Sequence, residues 1–221
     1  MSTLQQDLEA FKAEFIAKLS KEKAEIMNRA DADLAATDIL KRALKAGDTA
    51  PDFTLPDATG RKVSLFDTLK QSPVILVFYR GGWCPYCNLE LRAYQRLLPE
   101  IRKADAQLIA ISPQTPDASL STQEKNALVY PVLSDTGNAA AKAFGILFDM
   151  PAYLSNLYAS FGNDLTIIND AGTWALPLPA TYIIGQDGKI LKAFVETNYR
   201  TRMEPQAALD AIITDRKKRA A

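Results

Sequence analysis

The sequence predicts an α/β protein, a central mixed β-sheet flanked by helices and preceded by an N-terminal helical extension. Three observations carry that prediction. Continuous β-branched and aromatic runs, VILVFY at 74–79 and QLIAIS at 107–112, read as strands buried on both faces. Between them, over about 88–104, apolar residues recur at Leu89, Ala93, Leu97 and Ile101, a helical spacing that completes a strand–helix–strand unit. Later, ATYIIGQDGKILKAFVE at 180–196 reads as two strands around the turn QDGK, an antiparallel hairpin.

The remaining elements follow in order. Leu4, Leu8, Phe11, Phe15 and Leu19 form an apolar stripe on a first helix, and a second helix is expected over about Ala32 to Lys45, stopping at Gly47. Residues 1–46 are therefore expected to be a helical extension, an arm packed on the domain of residues 47–221, with a dimer contact as the alternative use of its apolar stripe. APDFTLPDATGRKVSL, with short alternating runs broken by Pro, Asp and Gly, reads as a hairpin or two edge strands. A helix near 119–128 precedes the strand in YPVLSD, and another helix is expected near 138–144. Residues 146–180 interrupt the pattern, with AYLSNLYASFG expected to be helical. Pro205 opens a last helix, with Leu209, Ile212 and Ile213 expected to face inward.

The 221 residues are 48% hydrophobic and 24% charged, enough for a sizeable core. Twenty-six basic residues balance twenty-six acidic ones, so no charge excess argues for nucleic acid or a membrane surface as partner. RKKR at 216–219 reads as a solvated helix end. The start, MSTLQQDLEAFKAEF, lacks the basic and apolar regions of a signal peptide, and no apolar run could span a bilayer. The expected location is cytoplasmic, where thiols stay reduced. There is no histidine, which excludes Ser-His and Cys-His catalysis and His-ligated zinc.

The only two cysteines, Cys84 and Cys87, lie in FYRGGWCPYCNLE, at the turn from the first buried strand into its helix. A sulfur there meets unpaired backbone N–H groups and the positive helix end, both of which favour the reactive thiolate. C-x-x-C spacing lets the second thiol close a disulfide on the first. Trp83 can shield the pair, and Pro85 removes a competing N–H. A zinc site would need four ligands and finds two, and a structural disulfide over so short a loop would stabilise little. A redox dithiol is the expected chemistry, with no metal and no cofactor.

A strand–helix–strand unit followed by a hairpin and a helix is the element order of thioredoxin-like folds. The chain resembles the alkyl hydroperoxide reductase / thiol-specific antioxidant family, the peroxiredoxins, over about 46–215. GDTAPDFTLPDATGRKVSL, VILVFYR, YPVLSDTGNAAAKAFGI and TYIIGQDGKI carry the resemblance, while 146–180 lacks a counterpart in ordinary members. The family's P-x-x-x-T-x-x-C pattern would fall with its proline at Arg80, its threonine at Cys84 and its peroxidatic cysteine at Cys87; Glu90 falls on a common acidic position. The family's distant arginine falls on Pro179. W-C-x-x-C is similar to thioredoxin and C-P-Y-C to glutaredoxin, and Pro179 resembles their cis-proline, so Leu178–Pro179 is expected to be cis.

The resemblance implies a thiol peroxidase cycling through a Cys84–Cys87 disulfide. A disulfide reductase and a non-enzymatic redox-sensing module are the alternatives. Arg80, or Arg200 or Arg202 folded nearby, would replace the missing arginine. Trp83, Tyr86, Pro179 and Arg80 are the candidate substrate-binding residues; Trp174 and Tyr199 are expected in the core. Partners are a hydroperoxide or disulfide substrate, a thioredoxin- or glutathione-type thiol reductant and a second copy of the chain. Family alignment nominates Cys87 as nucleophile, but dithiol geometry favours Cys84, expected at the more exposed helix end.

Overall fold

In the computed structural model, which describes residues 2–220, the run VILVF becomes a strand that loses essentially all contact with water. This strand, β3 (Val74–Phe78), follows a hairpin of β1 (Thr54–Pro56) and β2 (Lys62–Ser64), each in the place the sequence predicts. β3 pairs in parallel with β4 (Gln107–Ser112), and β4 with β5 (Val132–Ser134). On its other side β3 pairs antiparallel with β8 (Ala180–Ile184), which pairs antiparallel with β9 (Ile190–Val195). The sheet order is thus β5-β4-β3-β8-β9, a mixed sheet of the thioredoxin type.

Strand alternation divides the core between the two faces. Ile75, Val77 and Tyr79 face α5 (Pro85–Lys103) and α10 (Pro205–Ala220), meeting Leu91, Tyr94, Leu98, Leu209 and Ile212. Val74, Leu76 and Phe78 face the other way, where Phe78, Phe144 and Tyr182 pack ring against ring. Each such side chain contributes roughly 1.5–3 kcal/mol by leaving water. Ile213 departs from expectation: it is 37% exposed, because one residue beyond Ile212 turns the side chain about 100° around the helix.

The N-terminal arm differs in its breaks. α1 (Leu4–Lys18) has a capping box at Thr3 and lays Leu4 and Leu8 into the core beside α5. Ser20 then caps α2 (Lys21–Ala35), which begins eleven residues before the expected Ala32 and ends well before Lys45. The rest of the expected helix is only a short turn, α3 (Ile39–Arg42), after Thr37 bonds its hydroxyl back to the Leu34 carbonyl. Between β4 and β5 lies α6 (Pro116–Lys125), and α7 (Ala139–Ala143) follows β5.

The interruption at 146–180 is tied off by a ladder the sequence did not suggest, β6 (Leu147–Asp149) against β7 (Ala175–Pro177). It carries α8 (Ala152–Ser160), in the stretch expected to be helical, and the short α9 (Leu165–Ile168). Leu178–Pro179 is trans, contrary to expectation, and no described peptide bond is cis. Leu178 donates to the Ile146 carbonyl at the end of the β6–β7 ladder, and Ala180 already belongs to β8. The backbone runs extended from one ladder into the next, leaving no turn for a cis bond to make.

Candidate active site

The two glycines before Trp83 make the loop that delivers the cysteines. Gly81 has φ +149°, and a Cβ there would lie 2.3 Å from the Trp83 indole nitrogen. Gly82 needs its missing side chain for space: a Cβ would stand 2.2 Å from Thr122 Oγ1. The peptide at Gly82 is gripped from both sides, its N–H donating to Gln114 Oε1 (2.7 Å) and its carbonyl accepting from Asn88 Nδ2 (2.8 Å). Asn88 is itself held by Asn126 (3.0 Å). Cys84 is then the N-cap of α5, with Pro85 at the first helical position.

Each sulfur has its own guanidinium. Arg80 Nη2 lies 3.7 Å from Cys84 Sγ, and Arg202 Nη2 lies 3.5 Å from Cys87 Sγ. Arg202, in the segment between β9 and α10, is locked by Glu90 Oε2 (2.6 Å), the Thr201 carbonyl (2.7 Å) and the Tyr199 carbonyl. Burial alone would raise the Cys84 thiol, but the hydrogen bond from Cys87 and the charges of Arg80 and Arg202 hold it well below the ordinary thiol value. Cys87 moves the opposite way: burial, then its hydrogen bond to Cys84 and that sulfur's charge, raise it well above. One anion is thus shared by a pair flanked by two cations.

Both sulfurs are buried, Cys84 at 1% exposure and Cys87 at 0%, so Cys84 does not occupy the exposed end expected of it. Aromatic rings packed on Arg80 close the site. Its guanidinium lies 4.0 Å from the Tyr199 ring centroid and 5.0 Å from that of Trp83, and donates to the Tyr158 hydroxyl at 3.0 Å. The opposite side of this cluster is tied to the arm, where Arg200 stacks at 4.2 Å from the Tyr199 ring and reaches Asp31 at 2.5 Å. Tyr86 is buried, edge-on to both Phe11 and Tyr199.

Of the residues nominated from sequence, Arg80, Trp83, Tyr86 and Arg202 gather around the cysteines. Pro179 instead lines, with Arg80, Tyr158 and Tyr199, a cavity of about 380 Å³ between α2, α8 and the sheet. Tyr199, expected as core, is buried but serves the site through Arg80. Tyr158 carries no sequence signal beyond being an aromatic in the 146–180 segment. Glu90 was noted only as a family position, and here is wholly buried with Oε1 unpartnered. Trp174 is half-buried and packs beside Met150, Tyr158 and Leu165.

A family model described as the AhpC/TSA family matches residues 46–193. The chloroplastic peroxiredoxin Q of Sedum lineare is 28% identical over 164 residues, 74% of this chain and 73% of that protein. For the chloroplastic peroxiredoxin Q of Gentiana triflora, also 28% identical, this chain spans 63% of the relative's length. The peroxiredoxin Bcp of Escherichia coli (strain K12) is 34% identical over 103 residues, 47% of this chain and 65% of that protein. Among solved structures, the peroxidoxin BcpB of Mycobacterium tuberculosis superposes with a TM-score of 0.62 at 25% identity, over 77% of this chain and 97% of that one. No described helix is long and apolar enough to cross a membrane.

Proposed function

The chain belongs to the AhpC/TSA family as a thiol-dependent peroxidase of the peroxiredoxin kind, and from that premise we propose that Cys84 and Cys87 form its redox dithiol, with Cys84 the attacking sulfur. The observation that carries the assignment of Cys84 is the position of Arg80. Its guanidinium touches the Cys84 sulfur and also lines the 380 Å³ cavity, whereas Arg202, over Cys87, is closed in by Glu90 and the Tyr199 carbonyl. A peroxide arriving through the cavity therefore meets Cys84 first.

In the first step the Cys84 thiolate forms an S–O bond with the terminal peroxide oxygen as the O–O bond breaks. Cys84 becomes a sulfenic acid, and the leaving oxygen takes up a proton as alcohol or water. Arg80 meets the negative charge that develops on the oxygens. The Tyr158 hydroxyl accepts from Arg80 and keeps its own proton free to donate, which supplies the hydroxyl that Cys84 displaces from the family's threonine position. Cys87 then attacks the Cys84 sulfur, the S–S bond forms, and hydroxide leaves as water with the Cys87 proton. An external dithiol or glutathione-type thiol reduces the disulfide by exchange.

A disulfide reductase is the second reading, favoured by the N-cap position of Cys84 with Cys87 one turn into α5. The burial of both sulfurs and the trans Pro179 argue against it, because a protein disulfide needs an open sulfur. A reducing cytoplasm and a homodimer belong to the proposal; light scattering on the purified chain tests the dimer. The decisive experiment compares peroxide consumption driven by a dithiol with reduction of insulin disulfides. Peroxide turnover that Cys84→Ser abolishes, with Cys87→Ser retaining one turnover to a sulfenic acid, is expected. Insulin reduction without peroxide turnover, or a first turnover surviving in Cys84→Ser, overturns it.

A further inference from the structure

We propose that Glu90 is the proton acceptor for Cys87, taking its thiol proton as the disulfide closes and returning it as the disulfide opens. The inference rests on the peroxidase reading above and adds the group that moves the proton in its second step. Cys87 needs such a group. Burial is the largest cause holding its proton on, well above the ordinary thiol range, and at 0% exposure no base from solvent reaches it. The chain has no histidine, so a carboxylate is the natural candidate. The buried carboxylates among the described residues are Asp57, Glu90 and Asp135. Asp57 is committed to Thr59 and Arg61, and Asp135 to the amides of Ala140 and Ala141.

One planar group sets the Cys87 sulfur and the Glu90 carboxylate side by side. Arg202 donates from Nη2 to Cys87 Sγ at 3.5 Å and from Nε to Glu90 Oε2 at 2.6 Å, and these two nitrogens form a single edge of the guanidinium. Nη1 is engaged by the Tyr199 and Thr201 carbonyls, which keep that edge from swinging away. Helix geometry agrees. Cys87 and Glu90 are three residues apart on α5, a spacing that puts two side chains on one face with Cβ atoms roughly 5–6 Å apart. Glu90 Oε1 has no hydrogen-bond partner among the described residues, so it can take a proton while Oε2 stays on Arg202.

The transfer keeps one anion beside one buried cation throughout. While Cys87 is a thiol, Arg202 faces the Glu90 carboxylate; once the proton has moved, it faces the thiolate, and no uncompensated charge appears in the core. The thiolate attacks the Cys84 sulfur, and the S–S bond forms as the S–O bond breaks. Cys87 is oxidised, the sulfenic sulfur is reduced, and the departing hydroxide collects the proton from Glu90 to leave as water. The other groups around Glu90 offer no second base: besides Arg202 and the two cysteines these are Tyr94, one turn further along α5, and Tyr130, just before β5. Burial raises both phenols well above their ordinary range, and Glu204 adds to the effect on Tyr94. The Glu90 carboxyl, raised to about 7, can pass a proton either way near neutrality.

The test separates the two steps in the full chain and in Glu90→Gln between pH 5 and pH 9, with urea unfolding to confirm that the variant is folded. After mixing with hydrogen peroxide, dimedone trapping and mass spectrometry follow the Cys84 sulfenic acid, whose decay to the disulfide gives the second-step rate. In the wild type that rate is expected to rise as pH passes about 7 and then level. In Glu90→Gln the ratio of second-step to first-step rate should fall by about a hundredfold at pH 7.5, the scale of one positioned acid–base group, and should climb with pH as hydroxide takes over. A purely electrostatic Glu90 gives the opposite sign, because removing its charge leaves Arg202 wholly to Cys87 and makes that thiol more acidic. A flat wild-type profile, or a variant ratio that is unchanged or higher, overturns the proposal and leaves the peroxidase reading intact. A fall that rising pH does not relieve marks a structural role and overturns it as well. If no sulfenic acid forms in the wild type, the peroxidase reading falls instead, and diamide closes the disulfide: Cys84 adds to its N=N bond and Cys87 displaces the hydrazine. A slowed closing step in Glu90→Gln then still supports the proton acceptor, and equal closing rates sink it.

Discussion

Arg202 stands 3.5 Å from the Cys87 sulfur with one nitrogen and 2.6 Å from the Glu90 carboxylate with another. A single buried cation thus serves two groups that can each be an anion, one from the first turn of α5 and the other from its second. Glu90 has no other partner, and its second oxygen is left bare in the core. The pair is a poor source of stability, since desolvating both charges offsets most of their attraction. It fixes the guanidinium over the sulfur instead.

The Glu90 carboxyl titrates in an unusual range. Burial raises it from 4.5 to about 7, with the charge and hydrogen bond of Arg202 pulling the other way. A folded-state value above the unfolded one means the folded chain binds the proton more tightly, so stability is lost as pH rises from about 4.5 to about 7 and is level above that. The span corresponds to about 3 kcal/mol. Urea unfolding of the wild type and of Glu90→Gln at pH 5 and pH 7.5 is expected to show the wild type losing about that much more than the variant. Equal losses in the two proteins would rule out this role for Glu90.

The Arg80 charge should be visible in the reactivity of Cys84. With the guanidinium present the thiol ionises well below its ordinary range, so alkylation by iodoacetamide is expected to be nearly flat with pH through neutrality. In Arg80→Met one of the groups that hold the thiol down is lost while the Cys87 hydrogen bond and Arg202 remain, so alkylation at pH 7 should fall and become more dependent on pH. Peroxide kcat/KM at pH 7 should fall by about 10²–10³, as for loss of one charge-stabilising donor. An unchanged alkylation profile would show that another group sets the thiolate.

Tyr158→Phe removes one hydroxyl and keeps the ring that packs edge-on to Trp83 at 5.5 Å. If the phenol donates to the departing oxygen, kcat/KM for peroxide should drop by about tenfold to a hundredfold, the scale of a positioned proton donor. The iodoacetamide profile of Cys84 should hardly move, since Arg80 is still present. A drop in peroxide turnover matched by an equal drop in alkylation would mean that Tyr158 only holds Arg80 in place.

Much of this site could be read from the chain because its parts are local in sequence. Strand, Gly-Gly loop, Cys84, Pro85 and Cys87 follow one another within fourteen residues, and secondary-structure periodicity alone puts them at a helix start. The strands and helices that build the sheet followed from run composition and periodicity in the same way. What stayed hidden comes from tertiary closure. Arg202 is 115 residues from Cys87 in a segment without periodicity, so the sequence could name it only as one of several arginines. Tyr158 reaches Arg80 because the β6–β7 ladder folds the 146–180 segment back over the site, a pairing of two three-residue strands too short to leave a pattern. The cis expectation for Pro179 failed for a related reason: local motif similarity carried no information about the ladder that keeps Leu178 extended. Cys84 is buried, against expectation, because a helix N-terminus is open only until aromatic residues from distant elements cover it.

Gly82 offers a test of the loop that sets both sulfurs. Its own backbone angle is one an alanine adopts, so only space forbids the larger residue, and the atom in the way is Thr122 Oγ1 at 2.2 Å. Thr122 cannot simply rotate, because that hydroxyl is bonded to the Ala118 carbonyl at 2.8 Å and to Gln114 Oε1 at 3.3 Å, and Gln114 in turn holds the Gly82 N–H. Gly82→Ala should therefore shift α6 or the loop, costing about 1–3 kcal/mol as an overpacked site does, and should slow peroxide turnover by displacing Cys84. Adding Thr122→Ala removes the clashing atom, and the double variant is expected to recover at least half of the lost stability. Urea unfolding of the four proteins in the cycle reads the coupling directly. If the two substitutions simply add, the contact between the loop and α6 is not what confines Gly82.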